Sequence, residues 1–177
     1  MTTPTVMLVL MLAPYLLLRL LSVAAQRDFD PRRAASVGLT LLFLFTGAGH
    51  FIETGPMSQM LPPWIPARVP LIYLTGILEF AIATGFLVGK FRYIAGWVAI
   101  AVLILFFPGN IYAAINHIPM GGHSWGPVYL LLRAPLQAMI VFWVYWFTIR
   151  QPGDMPLKND IENVSALQVG DQPGRLP

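Results

Sequence analysis

The chain has 177 residues, of which 56% are hydrophobic and 11% charged, with a formal net charge of +3 and no cysteine. Soluble domains carry roughly 25% charged residues, so too few charges are present for a water-exposed surface unless lipid covers much of it. The missing cysteines exclude structural disulfides, thiolate metal sites and any thiol relay run by this chain alone.

Five segments, 5–24, 35–54, 70–89, 94–113 and 127–149, have the roughly 17–25 apolar residues that a membrane-spanning helix needs. A backbone in hydrocarbon must bond within its own segment, and these runs do not alternate as barrel strands do. The expectation is an all-α integral membrane bundle forming one transmembrane domain over residues 1–150.

The first segment, TPTVMLVLMLAPYLLLRLLSVAA, contains Pro14, which is predicted to bend it. Arg19 lies near its far end, within reach of phosphate level. No positive charge precedes the run, and it is long for a signal-peptide core, so its retention is expected. The second segment ends in TGAGHFIETGPMSQMLPPWIP, which puts His50 and Glu53 three residues apart on one helical face. Pro62, Pro63, Pro66 and Pro70 then predict a stiff, non-helical link with Trp64 as an interface anchor. At a rise of 1.5 Å per residue, Glu79 falls roughly 13 Å below the start of the third segment, near the bilayer centre.

The fourth segment closes on Phe107, Pro108, Gly109 and Asn110, where a kink is expected. NHIPMGGHSWGP, residues 116–127, reads as a flexible, turn-rich loop, with His117 and His123 as solvated residues. In the fifth segment Arg133 and Gln137 are four apart and share a face, roughly 9 and 15 Å below its start. The aromatic run FWVYWF, 142–147, reads as a lipid-facing or packing stretch. The tail 151–177 is polar and proline-bracketed, and is expected to be a disordered cytoplasmic segment, with a short surface helix over 158–167 at best.

Lysine and arginine, counted along the links between segments, alternate as 0, 3, 1, 2, 0 and 3. By the excess of positive charge on the cytoplasmic side, this predicts the N-terminus outside and the C-terminus in the cytoplasm. His50, Glu53, Glu79, Asn110, Arg133 and Gln137 then all fall in the outer half of the bundle. A charge at mid-membrane costs about 2.5–3.5 kcal/mol, so Glu79 and Arg133 are expected to turn inward. The favoured partner for Arg133 is Glu79 or Glu53, with His50, Asn110 and Gln137 completing hydrogen bonds. Such a set reads either as architecture that fixes helix placement or as a polar cavity with a function.

His50 and Glu53 alone supply too few ligands for a metal site, and none is assigned. No serine elbow, HExxH pattern or nucleotide loop occurs. The basic residues follow topology and form no patch, so nucleic acid is not expected as a partner.

The stretches GAGHFIETGPMSQMLPPWIP (47–66), LTGILEFAIATGFL (74–87), AVLILFFPGNIYAAINH (101–117) and LLRAPLQAMIVFWVYW (131–146) together resemble the DoxX-like family of small bacterial membrane proteins. The likeness spans about 110 residues. It places His50, Phe51, the prolines at 62, 63 and 66, Gly76, Glu79, Pro108, Asn110, Arg133, Pro135 and Gln137 on the family's pattern. Where many members read Pro-Ala-Asn, this chain has Pro108-Gly109-Asn110.

The resemblance implies a four-helix core with the first segment as an additional helix at its edge, in a bacterial inner membrane. It also implies a possible quinone link, since relatives include a quinone-reducing subunit of thiosulfate oxidation. Disulfide handling, known for more distant members, is not carried over to a chain without cysteine. The reading is a multi-pass protein whose outer-half cavity binds a small lipophilic molecule, as the membrane subunit of a quinone-linked system. Alternatives are a scaffold or assembly factor acting through a partner subunit or homo-oligomer, and a small-molecule transporter, for which no inverted repeat is visible.

Overall fold

The computed structural model describes residues 2–150, and among these every regular element is helical. The elements are α1 (Thr2–Ala24), α2 (Pro31–Ile52), α3 (Thr54–Gln59), α4 (Arg68–Leu87), α5 (Arg92–Ile115) and α6 (Leu130–Val144). A 3-10 segment, His123–Tyr129, leads into α6, and a π-helical turn, Tyr145–Ile149, closes it. Five stretches are long and apolar enough to cross a membrane: α1, α2, α4, α5 and the continuous run His123–Ile149. The chain thus has the build of a multi-pass helical membrane protein. The expected tail and its short helix over 158–167 lie outside the described residues.

The ends of the helices follow from local chemistry. α2 starts at Pro31, before the apolar run, because Asp30 caps it: its carboxylate accepts from the Arg32 and Arg33 amides at 3.0 and 3.1 Å, and proline suits the first helical position. α4 starts at Arg68 despite Pro70, since first-turn amides have no partner within the helix anyway. Ala67, at φ 51°, turns the chain into it. Pro14, Pro108 and Pro135 lie inside α1, α5 and α6, and α5 continues past Pro108 to Ile115.

α2 packs between α1 and α4, and α5 bridges α4 to α6. The core is aliphatic and aromatic, centred on Leu39, Leu42, Phe86, Ile140 and Val144. Large apolar side chains such as Leu20, Leu74, Leu105 and Leu131 face outward, as a lipid-facing surface requires. α1 packs on α2 and places Met7 and Met11 in that core.

Two glycine contacts set the spacing of the helices. A Cβ at Gly38 would overlap the Met11 carbonyl, so α1 crosses α2 backbone to backbone. A Cβ at Gly76 would lie 2.6 Å from the Phe51 ring and 2.9 Å from the His50 Cβ, so α4 presses on the end of α2. Small residues allow such approach between membrane helices.

One end of the bundle carries the long connections 53–67 and 116–129. The other carries the short ones, tied by Arg33 to Asp30 at 3.1 Å, by Arg32 donating to the Arg150 carbonyl, and by the Arg150 guanidinium 3.9 Å over the Trp146 ring.

Candidate functional site

Polar side chains from α2, α4, α5, α6 and the 3-10 segment converge inside the bundle toward its long-connection end. Gly76 brings α4 so close to α2 that Glu79, 5% exposed, sits beside His50. The His50 Nδ1 donates to the Thr46 carbonyl at 2.9 Å and lies 3.9 Å from the Glu79 Oε2. That carboxyl oxygen is buried with no hydrogen-bond partner among the described residues. A buried, unsatisfied acceptor is costly; the Thr46 hydroxyl also borders this carboxyl, whose Oε2 keeps acceptor capacity to spare.

Across the interior, Arg133 on α6 makes two side-chain contacts. Its Nε donates to the Asn110 Oδ1 at 3.2 Å, and its Nη1 reaches the Met7 thioether at 3.3 Å. Asn110, 6% exposed, also donates from its amide nitrogen to the Phe106 carbonyl at 3.0 Å. His123 faces the same Asn110 oxygen from the 3-10 segment at 3.2 Å. Gln137, one turn below Arg133, donates to the Leu103 carbonyl and ties α6 to α5. No ion pair joins Glu79 to Arg133: Glu79 lies beside His50, and the short contacts of Arg133 go to Asn110 and Met7.

Of the six residues singled out in the sequence, five therefore share this interior: His50, Glu79, Asn110, Arg133 and Gln137. Glu53 does not. α2 ends at Ile52, and Glu53 turns out of helical geometry at φ −109°, ψ 30°, so its spacing from His50 no longer keeps it on the same face and it is exposed. Among the described residues no three of His, Asp and Glu gather as metal ligands do.

Three participants carry no clear mark in the sequence. His123 reads as a loop histidine but is only 4% exposed, because the connection folds back over the bundle end. Tyr129 packs edge-on against it with ring centroids 4.8 Å apart. Met7 reaches Arg133 from the far N-terminus. The GG pair at 121–122 is the one available signal for this fold-back. Both glycines have positive φ, 59° and 107°, a conformation that side-chain-bearing residues adopt poorly.

Tyr129 is also a wall of a surface groove of about 290 Å3, lined in addition by Gly122, Trp125, Val128, Leu131 and Leu132. The groove is mainly apolar, and Tyr129 also touches His123, which faces the Asn110 oxygen shared with Arg133. A Cβ at Gly122 would lie 2.5 Å from the Tyr129 ring. Gly122→Ala is therefore expected to displace that ring and to destabilise the fold by about 1–3 kcal/mol, combining overpacking with backbone strain. A thermal melt in detergent checks this, and an unchanged melt would show that the ring is not held as described.

Residues 39–148 match a family described as a domain of unknown function (DUF8561). No curated protein matches the chain, and no solved structure does.

Proposed function

The chain belongs to the DUF8561 family, whose description assigns no activity, and we propose from the site alone that it is a membrane-embedded binding protein for a small lipophilic molecule with a carbonyl or hydroxyl head. One observation carries this reading: Tyr129 both lines the apolar groove and packs edge-on against His123 of the His123–Asn110–Arg133 network. An apolar slot with a few convergent polar groups is the usual form of a small-molecule site. The tail of the molecule would lie in the groove against Trp125 and Leu131, with its head toward Tyr129. Arg133 would donate to a carbonyl, and Glu79 would accept from a hydroxyl.

A quinone fits that description, and a DoxX-like membrane subunit of a quinone-linked system is the form we propose for it. His50 beside Glu79 then offers a route for protons. On the charge pattern of the links the long-connection end faces outward from a bacterial inner membrane, with the C-terminus in the cytoplasm.

Native mass spectrometry from mild detergent tests the proposal. The protein should retain a lipophilic mass or take up added quinone. Arg133→Ala should weaken binding roughly tenfold or more, the worth of a hydrogen bond to a charged group. Failure of the wild-type protein to bind, or undiminished binding by Arg133→Ala, would overturn the reading.

A scaffold role is the second reading, and one feature favours it. Arg133, Asn110 and Gln137 bond across α1, α5 and α6, which by itself locks those helices together. A stoichiometric protein partner in the same spectra, without any small molecule, would select this alternative.

A further inference from the structure

His123 is held between two acceptors. Its Nδ1 lies 2.6 Å from the Met120 carbonyl oxygen, which offers only lone pairs, so Nδ1 must carry a proton. Its Nε2 lies 3.2 Å from the Asn110 Oδ1. Turning the Asn110 amide over would give Nε2 a donor, but two neighbours forbid it. The amide nitrogen would then face the Arg133 Nε–H, now 3.2 Å from Oδ1, and the amide oxygen would face the Phe106 carbonyl. Guanidinium nitrogens never accept, so the oxygen stays where it is. A neutral ring, with its one proton on Nδ1, therefore sets a lone pair against a lone pair.

We infer that His123 is a proton-binding site that fastens the 116–129 connection over the polar network. With Nε2 protonated, the ring donates to Met120 on one side and Asn110 on the other. With Nε2 bare, the Asn110 contact becomes repulsive and the connection loosens. The groups facing the ring come from three elements. Arg133 on α6 is the charged one, Tyr129 of the 3-10 segment is titratable, and Asn110 on α5 is neutral. Burial of the ring, which is 4% exposed, and like charge on Arg133 both oppose the added proton, whereas the Met120 carbonyl and the shared Asn110 oxygen favour it. Glu79 on α4 is the acidic group of the same interior, and His50 on α2 lies beside it.

The sign follows directly. The contact forms as pH falls and is lost as pH rises. Gly122 and Tyr129 belong to the connection and also line the groove, so loosening opens the groove. As control of ligand entry this rests on the proposed binding role, whereas the proton site itself does not.

The test needs no ligand, so it stays readable if ligand retention fails. The chain has three histidines, so 15N-histidine spectra of the protein in lipid nanodiscs can be assigned with His50→Gln and His117→Gln. At high pH, His123 should show the neutral tautomer protonated at Nδ1, becoming imidazolium in one step as pH falls below about 6.5.

A fluorophore on Val128→Cys, unique in this cysteine-free chain, supplies the second readout. Its quenching by acrylamide should rise with pH through the same midpoint and lose that dependence in His123→Gln. Asn110→Asp should move the midpoint up by about one pH unit or more, because a carboxylate favours the charged ring. A neutral ring protonated at Nε2, no ionisation below that pH, or pH-dependent quenching that survives His123→Gln would overturn the inference.

Discussion

Gly38→Val should detach α1 from its seat and destabilise the bundle by about 3 kcal/mol, at the upper end of overpacking penalties. The reason lies in what the new side chain would strike. A Cβ at Gly38 overlaps the Met11 carbonyl oxygen and comes within 3.0 Å of its carbon and 3.3 Å of its Cα. All three are backbone atoms of a helix, which cannot rotate aside as a side chain can. α1 must therefore move as a body, drawing out Met11, which is 0% exposed, and lifting the Met7 sulfur from Arg133.

Gly109→Ala is the matched control, since its Cβ would meet only the Met60 oxygen at 3.9 Å. There the helix should gain about 0.5–1 kcal/mol from alanine replacing glycine. Denaturant unfolding in mixed micelles separates the two. A Gly38→Val protein as stable as wild type would mean that α1 is not docked on α2 through this crossing.

This dependence on α1 bears on how much a reader of the chain could foresee. The spans were legible because lipid exposure imposes one condition on every residue of a helix exterior, and twenty residues in a row report it. Arg133 and Glu79 stood out for the same reason: a charge in such a run needs an inward-facing explanation. Their partners were not legible. A thioether accepting from a guanidinium leaves no pattern, and Met7 is separated from Arg133 by 126 residues.

His123 was hidden by the opposite problem, since a histidine among glycines and a proline looks like a surface turn until the connection is folded. Glu53 shows how a helix end misleads. Three-residue spacing is a statement about one face only while the helix lasts, and α2 stops one residue too early. Pro14 and Pro108 mark expected bends, and α5 remains helical through Pro108 to Ile115. Inside a bundle, neighbouring groups can satisfy the carbonyl that proline frees.

Any coupling between the two halves of the site can be measured separately from a ligand. Arg133→Met removes the cation while keeping length and apolar contact, and it deprives the Asn110 oxygen of its charged donor. The expected loss is about 2–3 kcal/mol, that of a hydrogen bond to a charged group together with an acceptor left short of a partner. Glu79→Gln takes away the opposite charge and gives the α2–α4 side an amide.

If Glu79 and Arg133 balance one another through the interior, then Glu79→Gln should do less harm when Arg133 is already gone. The double variant should recover at least about 0.5 kcal/mol relative to the sum of the single losses, the threshold at which coupling exceeds ordinary additivity. The absence of a direct ion pair sets the scale, for a touching buried pair loses about 3–5 kcal/mol when one partner is removed. Coupling near the lower figure would describe two charges held apart with space for a polar group between them. Strict additivity would instead make His50–Glu79 and Arg133–Asn110 two independent ties. An inserted head group could then gain nothing by meeting both, and binding should depend on Arg133 alone.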